Sequence, residues 1–265
     1  MSSDRVIVTV DQHVAHVRLN RPDKRNALDL AMFEALSSAG ERLRDARGVR
    51  AAVLSGEGKA FCAGLDWPAF MASGAESAMK LLGERDEGGA NLAQRVCRVW
   101  TALPFPVLAA VHGAALGGGL QIALGADLRY VHPFAQLSIM EVRYGLVPDM
   151  GLSTVLHRLV RDDVARELAF TGRVISGEEA ARVGLATRTC DDPLAEAMEV
   201  ARSIAARSPR AVRAIKQLVE RAPRLDAHAA LRLETELQQQ LIGSPEQMEA
   251  ALAVFEKREA VFDDP

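Results

Sequence analysis

The sequence predicts an α/β fold whose last third is helical, and three observations carry that expectation. The first sixty residues read as strand, strand, amphipathic helix, strand; the run Val107–Val111 is unbroken and apolar, as in a strand buried on both faces; and from about residue 151 helical periodicity dominates.

The elements follow in order. Residues 6–10 and 15–19 have strand composition, and Leu30, Phe33, Leu36 and Leu43 form the stripe of a helix beginning near Leu28, with Asp29 a candidate cap and Gly48 at its far end. Residues 51–55 make a third strand. Residues 70–102 are helical in pattern but broken at Gly83 and Gly88-Gly89, which is the composition of a covering segment where a lid could sit. Beyond Val107–Val111, a helix is expected over 117–124 and strands over 128–131 and 136–138. Later, Ser176 with Glu179 and Ser244 with Gln247 have capping-box spacing, the second with Pro245 at the first helical position. Val212, Ile215, Leu218 and Val219, and then Met248, Leu252 and Phe255, form stripes that must pack on something, either this chain's core or a second subunit.

Composition narrows the class. With 265 residues, 49% hydrophobic and 25% charged, the chain can bury a substantial core. A net charge of -3 supplies no basic excess to neutralise phosphates, so no nucleic-acid partner is expected. Cys62, Cys97 and Cys190 lie far apart and are odd in number, which suits neither a metal site nor a disulfide framework and fits a reducing cytoplasm. The opening MSSDRVIVTV has no signal-peptide core, so a cytoplasmic protein is the expectation. Residues 106–126 are uncharged for about the length of a membrane span. Their five glycines, His112 and Gln121 favour a strand, a glycine turn and a short buried helix, and no membrane partner is expected.

Three segments carry chemistry. In residues 58–67, GKAFCAGLDW, the Ala63-Gly64 turn can leave the Leu65 amide pointing into a cleft, while Asp66 before Pro68 reads equally as a helix cap. In residues 111–121, VHGAALGGGLQ, three glycines enter a helix; this suits an anion held by free N–H groups and also suits close helix packing. The glycine order is neither GxGxxG nor a P-loop. In residues 138–153, SIMEVRYGLVPDMGLS, two carboxylates sit among Met140, Tyr144, Leu146 and Val147, apolar company that raises a carboxyl pKa toward neutrality. Glu141 is a candidate base or a solvent-facing strand end. Asp149 is a second candidate or the N-cap of a helix striped by Leu152, Val155, Leu156 and Leu159.

Taken in this order, with RPDKRNAL at residues 21–28 and the closing FEKREAVF, these segments resemble the enoyl-CoA hydratase/isomerase (crotonase) superfamily over nearly the whole chain. The resemblance implies a crotonase-like spiral of ββα turns in residues 1–200 that binds acyl-CoA, and a C-terminal helical oligomerisation region, 201–265, that assembles homotrimers, often paired into hexamers. It implies an acyl-CoA substrate, with coenzyme A as part of that substrate and no separate cofactor. The amides of Leu65 and Gly118 would form an oxyanion hole for the thioester carbonyl. Lys24, Arg25, Cys62, Ala63, Leu65 and Asp66 would lie along the CoA, and Trp67, Phe70, Met71, Met140 and Tyr144 would line the acyl pocket.

Glu141 matches the second catalytic glutamate of family hydratases, but the first falls on Gln121, whose amide cannot carry a proton. Gln121 could instead position a water or hydrogen-bond Glu141. Asp149, eight residues beyond Glu141, resembles the partner carboxylate of dienoyl-CoA isomerases and of hydroxyacyl-CoA hydrolases. Hydration, isomerisation, thioester hydrolysis and a non-catalytic acyl-CoA or RNA binder on the same fold are the readings carried forward.

Overall fold

The computed structural model describes residues 4–264, without the side chains of residues 75–78. The chain opens with β1 (Val6–Asp11) and β2 (Val14–Leu19), an antiparallel hairpin closed by Gln12 and His13, both at positive φ (47° and 64°). Two such residues give the primed turn whose twist matches the strands. α1 (Leu30–Arg44) follows, with Asp29 accepting from the Met32 N–H as its cap, and then β3 (Ala51–Gly56). α2 (Trp67–Leu82), interrupted at Gly74, and α3 (Leu92–Thr101) precede β4 (Val107–Val111). β5 (Ala114–Leu116), α4 (Gly118–Leu124), β6 (Leu128–Val131) and β7 (Gln136–Ser138) complete the middle of the chain.

The remainder runs α5 (Asp162–Thr171), β8 (Ile175–Ser176), α6 (Gly177–Val183), β9 (Arg188–Thr189), α7 (Pro193–Ala205), α8 (Pro209–Arg221), α9 (Ala227–Leu241) and α10 (Pro245–Glu256). Strands are dealt to two sheets. The larger has the order β1-β2-β3-β4-β6-β9, parallel from β2 onward, and the smaller has the order β5-β7-β8. Successive pairs β4/β5 and β6/β7 each send one strand to each sheet, which is the repeating turn of a spiral.

Side-chain alternation explains the layers. In β3, Ala52 and Leu54 face the main core with Leu36, Trp100 and Phe105, while Ala51 and Val53 face Ala197, Ala201 and Ala205 of α7. Covered on both faces, β3 and β4 are buried along nearly their whole length. Residue 200, where the core was expected to give way to the helical region, lies inside α7, whose Ala197, Ala201 and Ala205 pack on the sheet. The chain end is held there. Arg50, before β3, donates to Ala205 O (3.2 Å), Phe262 O (2.6 Å) and Asp264 Oδ1 (2.9 Å).

Two local expectations need correction. The stripe beginning at Leu152 is not a helix: Gly151 at φ 97° is followed by two 3-10 turns, Leu152–Thr154 and Leu156–Arg158, so Asp149 caps nothing there. The Ser244 box is displaced, because Ser244 Oγ accepts from Gln247 N but the Gln247 side chain accepts from Gly243 N rather than from the cap residue. Residues 106–126 resolve into β4, β5 and α4, and among the described residues no helix is long and apolar enough to cross a membrane.

Candidate active site

Two glycine turns are bonded into one backbone lattice. Cys62 N donates to Ala114 O (2.9 Å) and Leu116 N to Cys62 O (3.1 Å), tying the turn after β3 to β5. Leu28 N donates to Gly64 O (2.8 Å) and Asp66 N to Leu28 O (3.0 Å), pinning the same turn from its other side. Gly64 is required here, since it sits at φ 86° and a Cβ would stand 2.5 Å from Leu116 O. Gly119 is required as well, because a Cβ there would collide with the Cys62 carbonyl. The lattice leaves Leu65 N–H and Gly118 N–H without an acceptor among the described residues, and both residues line one cavity.

That cavity holds about 400 Å³. Its wall is apolar, formed by Leu28, Phe33, Phe70, Leu81, Met140 and Met150 with Trp67 and Tyr144, and its only carboxylates among the described residues are Glu141 and Asp149. Glu141 starts a 3-10 turn, Glu141–Tyr144, just beyond β7, and the Gly117 N–H bond to Ser138 O (2.9 Å) brings the end of β7 beside the start of α4. Its Oε1 accepts from Gln121 Nε2 at 2.6 Å, and its Oε2 is buried with no partner. Burial pushes the Glu141 pKa up and the charge on Asp149 adds to that, against the opposing effect of the Gln121 bond. Asp149 is open to the cavity yet crowded by protein, and this burial raises its pKa as well.

Gln121, 2% exposed, does not reach the cavity; its Oε1 accepts from Met150 N at 3.0 Å. Asp66 is a cap, accepting from Ala69 N (3.2 Å), and it also binds Arg21 Nη1 at 2.7 Å. Burial works against its charge, but the Ala69 N–H and Arg21 outweigh burial and hold its pKa below the usual range. Cys62 is fully buried, its thiol donates to Asn26 O (3.0 Å), and burial pushes its pKa up to about 12. Lys24 and Arg25 are exposed, and Ala63 N–H donates to Arg25 O (2.9 Å), which sets the basic loop beside the Leu65 turn. Trp67, Phe70, Met140 and Tyr144 are in the wall, whereas Met71 is 73% exposed and outside it.

Sequence reasoning missed Asn26. Fully buried at φ 56°, it accepts from Arg21 N (2.8 Å) and donates to Glu57 O (3.0 Å) and Ala60 O (2.8 Å), shaping the 21–28 loop. The signal was present, as a polar residue inside RPDKRNAL.

Known proteins share this architecture. The family model described as enoyl-CoA hydratase/isomerase matches residues 9–265. A short-chain-enoyl-CoA hydratase of Clostridium acetobutylicum is 33% identical over 97% of this chain and 97% of its own. A crotonyl-CoA hydratase of Syntrophomonas wolfei subsp. wolfei is 33% identical over 99% of each chain. The crystal structure of an enoyl-CoA hydratase from Bacillus anthracis superposes with a TM-score of 0.89 at 30% identity, covering 98% of this chain and 99% of that one. With the two-sheet spiral and the cradle of free amides, these matches establish that the chain belongs to the enoyl-CoA hydratase/isomerase family of enzymes and has the crotonase fold.

Proposed function

We propose that this enzyme converts an acyl-CoA thioester to its enolate and moves a proton along the acyl chain, isomerising an enoyl or dienoyl double bond. The observation that carries the reading is a single apolar cavity in which two amides without acceptors accompany two carboxylates of raised pKa. Leu65 and Gly118 hold the thioester oxygen as it gains charge; one such donor contributes roughly 3 kcal/mol in comparable oxyanion holes. Glu141 takes the proton and Asp149 returns one further along. Lys24 and Arg25 bind the CoA phosphates, and because the Cys62 and Asp66 side chains are already engaged, the 62–66 stretch contributes through its backbone. Exposed Ile215, Val219, Met248, Leu252 and Phe255 support assembly of the C-terminal helices into a homotrimer or hexamer.

Hydration is the second reading, favoured by the hydratase names of the relatives. In it Glu141 acts on water alone, since both ends of the Gln121 amide are engaged. The test is incubation with saturated, 2-enoyl and 3,5-dienoyl-CoAs in deuterated water, followed by mass and ultraviolet absorbance. Deuterium exchange with a spectral shift is the expected result. Gain of water identifies a hydratase, release of CoA thiol a hydrolase, and a tight complex with an unchanged acyl group a binding protein.

A further inference from the structure

We propose that Gln121 is a positioning residue that fixes the orientation and charge state of the Glu141 carboxyl: locked by the Met150 N–H, its amide can present only its NH2 to Oε1. This rests on the acyl-CoA reading above and adds the group that holds its base.

The argument is one of hydrogen-bond polarity. A backbone N–H can only donate, so the group facing Met150 N at 3.0 Å is the Gln121 carbonyl oxygen. The NH2 is thereby aimed at Glu141 Oε1, 2.6 Å away, where it occupies one lone pair of that oxygen and holds the carboxyl against rotation. At 2% exposure Gln121 has no water to turn toward. Oε2 is buried and without a hydrogen-bond partner, so among the described side chains Gln121 alone anchors the carboxyl. The carboxylate so held takes a proton from carbon, the C–H electron pair passes to the thioester oxygen as an enolate, and a proton from Asp149 at another carbon restores the thioester. The two carboxyls then re-equilibrate with solvent.

A glutamate at position 121 would set a second acceptor against Oε1 and force a shared proton between them. The amide avoids this and favours the charged form of Glu141 against the burial that opposes it. The Glu141 backbone N–H also favours the charged form, but among the described residues no other side chain facing Glu141 does. Asp149 works the other way, the Cys97 thiol of α3 is held neutral by burial, and Arg143, on the same turn, lies over Gly172.

The test compares Gln121→Met and Gln121→Asn, the latter one methylene short of Glu141, with wild type in the full chain. It reads the pH dependence of kcat/KM and the 13C titration of the Glu141 carboxyl. Loss of the donor is expected to move both to higher pH by about one unit or more, with KM little changed. Gln121→Glu is expected to give two coupled titration steps. In wild type, the side-chain NH2 resonance of Gln121 should follow the Glu141 titration, a reading that needs no variant to fold. A folded variant in which Glu141 titrates as in wild type, or an NH2 signal indifferent to that titration, overturns the proposal. If no acyl-CoA is turned over, the reaction assignment fails, while the carboxyl titration still decides the role of Gln121.

Discussion

Trp67 and Tyr144 stack with ring centroids 4.5 Å apart and planes at 27°, joining the first turn of α2 to the turn that begins at Glu141. Phe70 meets Trp67 edge-on at 6.0 Å. The segment that follows the Leu65 amide and the segment that carries Glu141 are therefore clasped on the acyl side by aromatic contact. Trp67→Ala is expected to lose about 1 kcal/mol of pairing and to widen the cavity. Relative kcat/KM should shift toward bulkier acyl chains by roughly tenfold for each added methylene accommodated. An acyl-length profile identical to wild type would remove the stack from the account of specificity.

Gly119→Ala tests the lattice rather than the pocket. Its Cβ would strike a backbone carbonyl, that of Cys62, which cannot swing aside as a side chain can. An overpacking cost of about 1–3 kcal/mol is expected, seen as a fall in Tm of several degrees, with loss of acyl-CoA binding as the two turns are forced apart.

Glu141→Gln should abolish turnover, spare acyl-CoA binding and stabilise the fold near neutral pH. Burial raises the Glu141 pKa, so the folded chain keeps a proton that the unfolded chain has already released. Stability is thus lost as pH rises from the ordinary carboxylate value through the raised one. The variant removes that loss, and denaturant titrations across this window should show a flatter pH dependence than wild type.

Asp149→Asn separates the two halves of the reaction. With Glu141 intact, deuterium should still exchange into the acyl chain while the double-bond shift slows by about 100-fold or more, the usual contribution of one positioned acid–base group. Equal loss of both would make Asp149 part of enolate formation itself.

Much of the frame was legible from local pattern. The strands at 128–131 and 136–138 and the run at 107–111 coincide with β6, β7 and β4; β4 is an unbroken apolar run, whereas β6 and β7 carry Arg129, Gln136 and Ser138 among their apolar residues. β5, β8 and β9 were not foreseen as strands: at two or three residues they carry no pattern of their own and exist through pairing with β6 and β7. The stripe after Gly151 has helical spacing, yet 3-10 turns satisfy the same apolar contacts once the left-handed glycine sets the chain direction.

Within the site, the backbone parts were readable because glycine leaves a signature and the side-chain relations were not. Nothing local tells that Gln121 and Glu141 meet at 2.6 Å, since that depends on β5 and β7 lying side by side. Met71 fell outside the wall because one residue beyond Phe70 turns the side chain about 100° around the helix, toward solvent.

The bonds between Cys62 and Ala114 and between Leu116 and Cys62 run entirely through main chain. These main-chain bonds tie the Leu65 turn to the strand that leads into Gly118. Wall residues away from the Trp67–Tyr144 clasp, such as Phe33 or Leu81, can therefore drift in size and shape while the two amides keep their place. On the proposed mechanism, choice of acyl chain and the hold on the thioester oxygen are carried by different parts of the chain, so a duplicated copy could acquire a new acyl specificity without passing through an inactive intermediate.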